Sequence, residues 1–551
     1  MKVLTIILLT LTFISLACKD ENSADNTPKD LAVDSVYVNS IYARNNSTIY
    51  NVDYQKQLIT ITFNDKVDTT EWDNSRLFIA GGVGTNYTHK FDNSSKYLYI
   101  EPVDQLNPLA TYRLFFEPGV NLGGNFTERY SITFKTQIDS TPKFPIIPDE
   151  ELLTLIQQQT FKYFWDYAHP VSGLIRERLG SGEVVTSGGS GFGMMAILVG
   201  IERDFITREQ GFERLNTIVN FLSNPETDRF HGAFSHWLNG STGKAIPFSA
   251  KDNGGDLVET AFLMQGLLTA KEYFKNGSAE EQAMCEAIQE LYEGVEWSWY
   301  RRDHQNTLYW HWSPNYGWEM NHQIRGWDEA LVVYVLAAGS PTYPITKEVY
   351  DEGWARNGAY PMVNNKTFYN IQLPLGHDYG GPLFFSHYSF LGLDPRNLSD
   401  LYANYWEQNV AHSLINRAYC IANPNKYYGY SAECWGLTAS DIQNGYTASS
   451  PTNDRGVIAP TAAISSIAYT PEESLAALRF FYYVLGDRLW GEYGFFDAFN
   501  LSSIWFASSY LAIDQGPIVC MIENYRTGLL WETFMLNESV QDGLVKLGFS
   551  F

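Results

Sequence analysis

The chain has 551 residues, is 45% hydrophobic and 15% aromatic, and carries a net charge of −24. That length leaves room for about two to four domains, and that charge argues against a nucleic-acid or anionic-membrane partner. The cysteines are scattered without CxxC spacing and no HExxH occurs. A disulfide framework and a zinc site are therefore not expected, although one bridge is compatible with the count.

The chain opens "MKVLTIILLTLTFISLACKDENS". One positive charge, an apolar run and small residues predict a secretory signal over 1–17, too short to span a membrane. Leu16-Ala17-Cys18 has the form of a lipobox, so Cys18 is the expected acylation site and the membrane is met only through that lipid. An ordinary cleaved signal is the alternative. Lys19-Asp20-Glu21 resembles the surface-export signal of Bacteroidetes lipoproteins, which implies an outer-membrane, surface-exposed protein, or otherwise a periplasmic one. A polar tether is expected over 18–32.

From 33 to 137 the pattern turns to short strands, such as "SVYVNSIYA", "QLITITFND" and "TYRLFFEPGV", separated by Asn, Asp, Gly and Pro turns. This predicts an all-β sandwich, and the run resembles bacterial Ig-like domains found beside surface enzymes. A spacer role is expected for it, with direct glycan binding as the alternative. "DSTPKFPIIPDEE" then reads as a linker, placed at 138–150.

Helical spacing dominates 151–551. It begins in "DEELLTLIQQQTFKYFWDYA" and continues over 191–202, 207–223, 256–275, 279–299, 326–338, 400–418, 457–468, 471–486, 501–512 and 516–536. Several of these helices carry little charge on any face, as an inner ring shielded by outer helices would. The fold expected is mainly α, an (α/α)6 toroid behind a small Ig-like sandwich. Long connections rich in Gly, Trp, Tyr and His, such as "LYWHWSPNYGWEMNHQIRGWDEA", are candidates to form a cleft at one end. "SGGSGFG" lacks the P-loop spacing and is read as close packing at a helix start.

The segments "DNGGDLVETAFLMQGLL", "LYWHWSP", "GGPLFFSHYSFLGLDPR", "GVIAPTAAISSIAYTPEESLAALR" and "AIDQGPIVCMIENYRTGLLW" resemble the bacterial glucoamylase-like family, whose best understood members are endo-β-1,2-glucanases. The resemblance covers about 150–551. It implies an (α/α)6 barrel, a β-glucan or oligosaccharide substrate, inversion at the anomeric carbon and no cofactor. It also implies substrate-contacting carboxylates at Asp252, Asp256 and Glu259. An exo-acting hydrolase releasing glucose and a non-catalytic glycan-binding lipoprotein are the alternatives, and a monomer is expected.

Hydrolysis by inversion needs an acid for the leaving oxygen and a base for water, with carboxyls about 6.5–9.5 Å apart. In "KDNGGDLVETAF", Asp256 is a natural helix cap and Glu259 completes an acidic capping box, which accounts for both without chemistry. Asp252 is left over, and Gly254-Gly255 would let backbone approach a ligand. In "RGWDEALVVYVLAAG", Asp328 reads as a cap and Glu329 as a first-turn residue beside Trp327, the candidate acid. In "YLAIDQGPIVCMIENYRTG", Pro517 reads as the first helical residue, which puts Asp514, the candidate base, in the preceding loop. Glu523 is expected to pair with Arg526. Trp310, Trp312, Trp318, Trp327 and Trp435 are candidate sugar platforms. Glu433, Asp441, Asp454, His387, Tyr388, Arg176, Arg203 and His311 are candidate cleft contacts.

Overall fold

The computed structural model describes residues 29–551. The expected signal segment and Cys18 lie outside the described residues. The chain divides after Ile138 into a β unit and a helical unit.

The β unit contains Asp30–Leu31 (β1), Val33–Val38 (β2), Ile41–Ala43 (β3), Thr48–Val52 (β4), Ile59–Phe63 (β5), Leu77–Ala80 (β6), Tyr87–Phe91 (β7), Tyr97–Pro102 (β8), Thr111–Phe116 (β9), Asn125–Phe126 (β10) and Tyr130–Thr136 (β11). Its sheets run β3-β2-β5-β8-β7 and β4-β11-β9-β6. In β5 every second residue, Ile59, Ile61 and Phe63, is buried, as the period of two requires when one sheet face packs on a partner. Val36, Val38, Ile61 and Leu98 of the larger sheet share one core with Leu114, Ile132 and Phe134 of the smaller. This is the expected sandwich. It starts slightly earlier than expected, because β1 pairs in parallel with β10 within the anticipated tether.

The helical unit comprises Asp149–Trp165 (α1), Ser187–Glu202 (α2), Arg208–Ser223 (α3), Leu257–Phe274 (α4), Ala279–Glu293 (α5), Leu331–Gly339 (α6), Lys347–Glu352 (α7), Tyr405–Ala422 (α8), Pro460–Ile464 (α9), Pro471–Arg479 (α10), Gly486–Leu489 (α11), Ala512–Arg526 (α12), Leu529–Met535 (α13) and Glu538–Leu547 (α14). It has the toroidal plan. In α2 every residue except Glu202 is buried, and α6 is buried throughout. Helices without a polar face belong inside, and α2, α4, α6, α9 and α12 form the inner layer. Outer α3 and α5 are amphipathic and start with capping boxes, Thr207–Gln210 and Ser278–Glu281. The inner helices α2 and α4 cross at glycines. A Cβ on Gly191 would lie 2.0 Å from the Phe262 carbonyl, and one on Gly266 would lie 2.2 Å from the Gly191 carbonyl. The glycine-rich "SGGSGFG" is thus a packing device, as expected.

Several elements differ from expectation. Residues 501–512 are not a helix: Phe499–Asn500 and Trp505–Phe506 pair as a short hairpin. The next helix starts at Ala512, and a second begins at Leu529 after the left-handed Gly528. The linker from 139 packs against the helical unit, with Phe144 stacked on Tyr482 at 4.6 Å. Cys285, Cys420, Cys434 and Cys520 are buried free thiols. No helix of the described residues is long and apolar enough to cross a membrane.

Candidate active site

The inner helices converge with their N-termini on a cavity of about 440 Å³. Thr186 precedes α2, Glu259 lies in the first turn of α4, Glu329 precedes α6, and Leu511 and Ile513 flank the start of α12; all five line the cavity. Unpaired N–H groups and the positive end of the helix dipole favour carboxylates there. Glu177, Arg178, His236, Trp237, Trp310 and Tyr388 complete much of the wall, with Tyr446 and Phe248.

A short ladder, Gly255–Asp256 (β12) against His311–Trp312 (β13), sets Asp256 opposite His311. The two Asp256 oxygens then do different things. Oδ1 caps α4, accepting from the N–H groups of Val258 at 3.0 Å and Glu259 at 2.9 Å. Oδ2 faces His236 Nδ1 at 3.2 Å and His311 Nε2 at 3.5 Å. Asp252 Oδ2 also meets His311 Nε2, at 3.3 Å. Glu259 Oε2 accepts from the Gly188 N–H at 2.8 Å.

This network separates the protonation states. Burial opposes the charge on His311, yet Asp252 and Asp256 outweigh it and push its pKa up to about 10. Burial likewise opposes His236, and Glu259, Asp256 and Asp252 push it up to about 9. Asp256 is held well below the carboxylate range: burial would raise it, and the two imidazolium groups overcome that. Glu259 is raised, by burial first and by Asp256 against the pull of His236. Glu329 is pushed well above its ordinary value by burial and by Asp328. His236, Asp252 and Asp256 could each offer a ligand atom within 4.8 Å of the others. An imidazolium has no lone pair for a metal, so a cation held here would have to displace the His236 proton; with His311 the same groups form a hydrogen-bonded ion network around Asp256.

Glu329 lies before the helix instead of in its first turn. Asp328 does fold the backbone there, accepting from the Ala330 N–H at 2.9 Å and from Trp354 Nε1 at 3.0 Å. Asp514 is in the first turn of α12, not in the preceding loop, because Pro517 sits inside the helix. Asp514 is buried behind the cavity lining and is pushed well above its ordinary pKa by burial and by contact with Asp497. Asp497 is itself raised to about 7, chiefly by burial, and accepts from the Asp441 N–H at 2.6 Å. Asp441 receives Arg178 Nη1 at 3.1 Å.

Of the other sequence candidates, Trp310 and Tyr388 line the cavity. Trp327 and Trp435 are buried core groups, and His387 is a core histidine bonded to Ser466 at 3.1 Å and lowered to about 3 by burial. Trp312 packs with Phe230, His231 and Trp299, and Trp318 lies against Trp299. Glu433 is exposed away from the lining. Asp454 is held by Tyr430 and Tyr419, and Arg176 by the Gly182, Tyr167 and Ala168 carbonyls. Glu523 pairs with Arg203, at 2.7 and 2.8 Å, instead of Arg526. That fixes Arg203 at the end of α2 remote from the cavity. Gly254 and Gly255 admit protein, not ligand: Cβ atoms there would meet the Trp312 carbonyl at 2.2 Å and the Tyr300 hydroxyl at 2.0 Å. Sequence reasoning missed Glu177, Arg178, His236, Trp237 and Asp497. Only "SHW" (235–237), a histidine beside a tryptophan ahead of an acidic helix start, carried a usable signal.

Residues 33–136 match the family described as bacterial Ig-like domain, and residues 321–538 match the family described as "Putative glucoamylase". A "putative glucoamylase" of Bacteroides uniformis is 60% identical, over 74% of this chain and 99% of its own, with a TM-score of 0.72. An endo-β-1,2-glucanase of Chitinophaga pinensis, solved with sophorotriose and glucose, is 53% identical over 74% of this chain and 99% of its own, with a TM-score of 0.71. The exo β-1,2-glucooligosaccharide sophorohydrolase of Parabacteroides distasonis is 46% identical over 75% of this chain; the chain spans 60% of that curated relative's length. The chain belongs to this glucoamylase-like family, joined to a bacterial Ig-like domain.

Proposed function

We propose that the protein is a glycoside hydrolase that cleaves β-1,2-glucan at internal linkages. The observation that carries this reading is the cavity: a buried, proton-holding Glu329 and a second carboxyl, Glu259, share its wall with Trp310 and Tyr388. Aromatic rings cover sugar faces, and a carboxyl kept neutral by burial is what a general acid needs. The endo reading rests on identity, which is 53% to a relative named as an endo-β-1,2-glucanase and 46% to the exo-acting one.

In this reading Glu329 gives its proton to the leaving glycosidic oxygen while water attacks the anomeric carbon, breaking the C–O bond with inversion. The water's proton passes, through a bridging water, to the Asp497–Asp514 pair behind the wall. Two carboxyls in contact share a proton, and the pair then carries the single negative charge of a base. Tyr388 and Tyr446 line the cavity, and both lie within electrostatic reach of Asp514.

The test is chromatography of products from linear β-1,2-glucan and from soluble starch. A ladder of oligosaccharides from the β-1,2-glucan alone is expected. Sophorose as the sole product would indicate exo action, and glucose from starch would overturn the substrate assignment. Glu329→Gln and Asp514→Asn should each abolish turnover; wild-type rates in either would overturn that residue's role. We also propose lipidation of Cys18, which metabolic labelling with a fatty acid would detect and Cys18→Ser would remove.

A further inference from the structure

The outer face of the five-stranded sheet has a composition that a spacer does not need. Cross-strand register aligns Tyr42, Tyr37, Thr60 and Tyr99 in one row across β3, β2, β5 and β8. The next row aligns Ser35, Thr62 and Tyr97. All seven residues carry hydroxyls and none is charged, within a chain of net charge −24. Tyr37, Tyr42 and Tyr97 are 39%, 48% and 42% exposed, so their rings are spent on solvent and not on the core. The Tyr37 and Tyr42 ring centroids are 5.4 Å apart, and Tyr37 and Tyr99 are separated by two strand spacings, about 10 Å.

At one end the face runs into a groove of about 510 Å³. Asn39, Leu58 and Glu101 continue the sheet register into it, and Gln55, Gln57 and Gln105 line it. Planar amides beside a flat bed of phenols form a surface with alternating apolar ring area and hydrogen-bonding groups. Charges lie at its margins: Lys90, Asp92 and Glu101 along the sheet, and Asp53, Lys56 and Asp104 around the groove.

We propose that this face of the β unit is a second glucan-binding site. An uncharged polyhydroxylated chain matches it in charge and in chemistry: sugar ring faces lie on the tyrosines, and hydroxyls exchange bonds with Ser35, Thr60, Thr62 and the groove amides. A nucleic acid or an anionic lipid surface would require cations that the face lacks. Because the face and the catalytic cavity belong to one chain, a polymer held at the first is presented to the second at raised effective concentration. The ligand class rests on the β-1,2-glucan reading above.

Affinity electrophoresis of the full chain through gels containing linear β-1,2-glucan tests the site. The parent should be the Glu329→Gln chain, which should leave the polymer intact. Adding Tyr37→Ala, Tyr42→Ala and Tyr99→Ala should reduce retardation at least about fivefold, with unchanged migration in a glucan-free gel. Gln55→Ala/Gln105→Ala, outside the strands, should weaken retardation without touching the sheet. In the Glu329-containing enzyme the tyrosine changes should leave hydrolysis of short oligosaccharides unchanged, and limited proteolysis of the β unit should match the parent's. Retardation equal to the parent's in both variants, or a parent that β-1,2-glucan does not retard, would overturn the proposal. Failure of the hydrolase reading would instead appear as wild-type enzyme making no product, which the gel does not depend on.

Discussion

The Asp256 network makes a prediction about stability against pH. In the folded protein His311 is pushed from 6.5 to about 10; at about 1.4 kcal/mol per pKa unit, that is on the order of 5 kcal/mol of preference for its proton. His236, raised to about 9, leans on the same carboxylates, so the two figures do not add. Both histidines bind protons more tightly folded than unfolded. Their contribution is fully present below pH 6.5 and is lost as pH rises through 9 to 10. Asp256→Asn keeps the oxygen that caps α4 but replaces the anion between the imidazoles with an N–H donor. Breaking a buried ion pair costs about 3–5 kcal/mol, so the variant should be less stable than wild type by about that amount at pH 6.5. The gap should narrow steadily toward pH 10, as first His236 and then His311 give up their protons and the Asp256 carboxylate loses its compensation. Calorimetric unfolding of both proteins between pH 6 and 10 measures it, and the comparison cancels the titrating groups that Asp256 does not reach. A gap that stays constant across that range would refute the network as described.

Two further predictions follow from the same inner layer. Glu329→Gln should raise the melting temperature while abolishing turnover, and more at pH 8 than at pH 5. The buried carboxyl holds its proton folded but ionises unfolded, so its penalty grows with pH; thermal shift at the two pH values reads it, and an unchanged or lowered melting temperature would count against burial as the cause. Gly191→Ala should cost about 3 kcal/mol or more, because its Cβ would lie 2.0 Å from a backbone carbonyl of α4 that has no side-chain freedom to yield. A urea midpoint close to wild type would show that the α2–α4 crossing can relax.

How much of this was legible in the sequence depended on the range of the interaction. Local periodicity carried the sandwich and the inner helices: β5 alternates strictly, and the all-apolar "LVVYVLAAG" is α6. Short-range rules also carried the Asp256 cap. They failed where two local signals competed. Pro517 is favoured at a helix start, and reading it so moved Asp514 out of its helix by one turn; the true start lies at Ala512, whose backbone N–H is taken up by the Glu177 carbonyl. The apolar run from 501 lacks a consistent period and closes as a hairpin. Partners distant in sequence were not legible at all. Glu523 has Arg526 at ideal helical spacing yet takes Arg203, 320 residues away, because a buried carboxylate gains more from a bidentate guanidinium.

The acidic start of α4 shows why capping and chemistry are not rival explanations. A carboxylate that only capped would need one oxygen, and Asp256 uses only Oδ1 for the Val258 and Glu259 N–H groups. Those bonds fix the side-chain rotamer, and the fixed rotamer aims Oδ2 at His236 and His311. The ladder with β13 sets the second histidine in register with it. The resulting negative charge then helps to raise Glu259 and, more weakly, Glu329 on the cavity wall. A helix-start signal in the sequence thus becomes a source of charge separation in the site, with Asp256 driven down and Glu329 driven up. That divergence between neighbouring carboxyls is what acid–base chemistry at one pH requires.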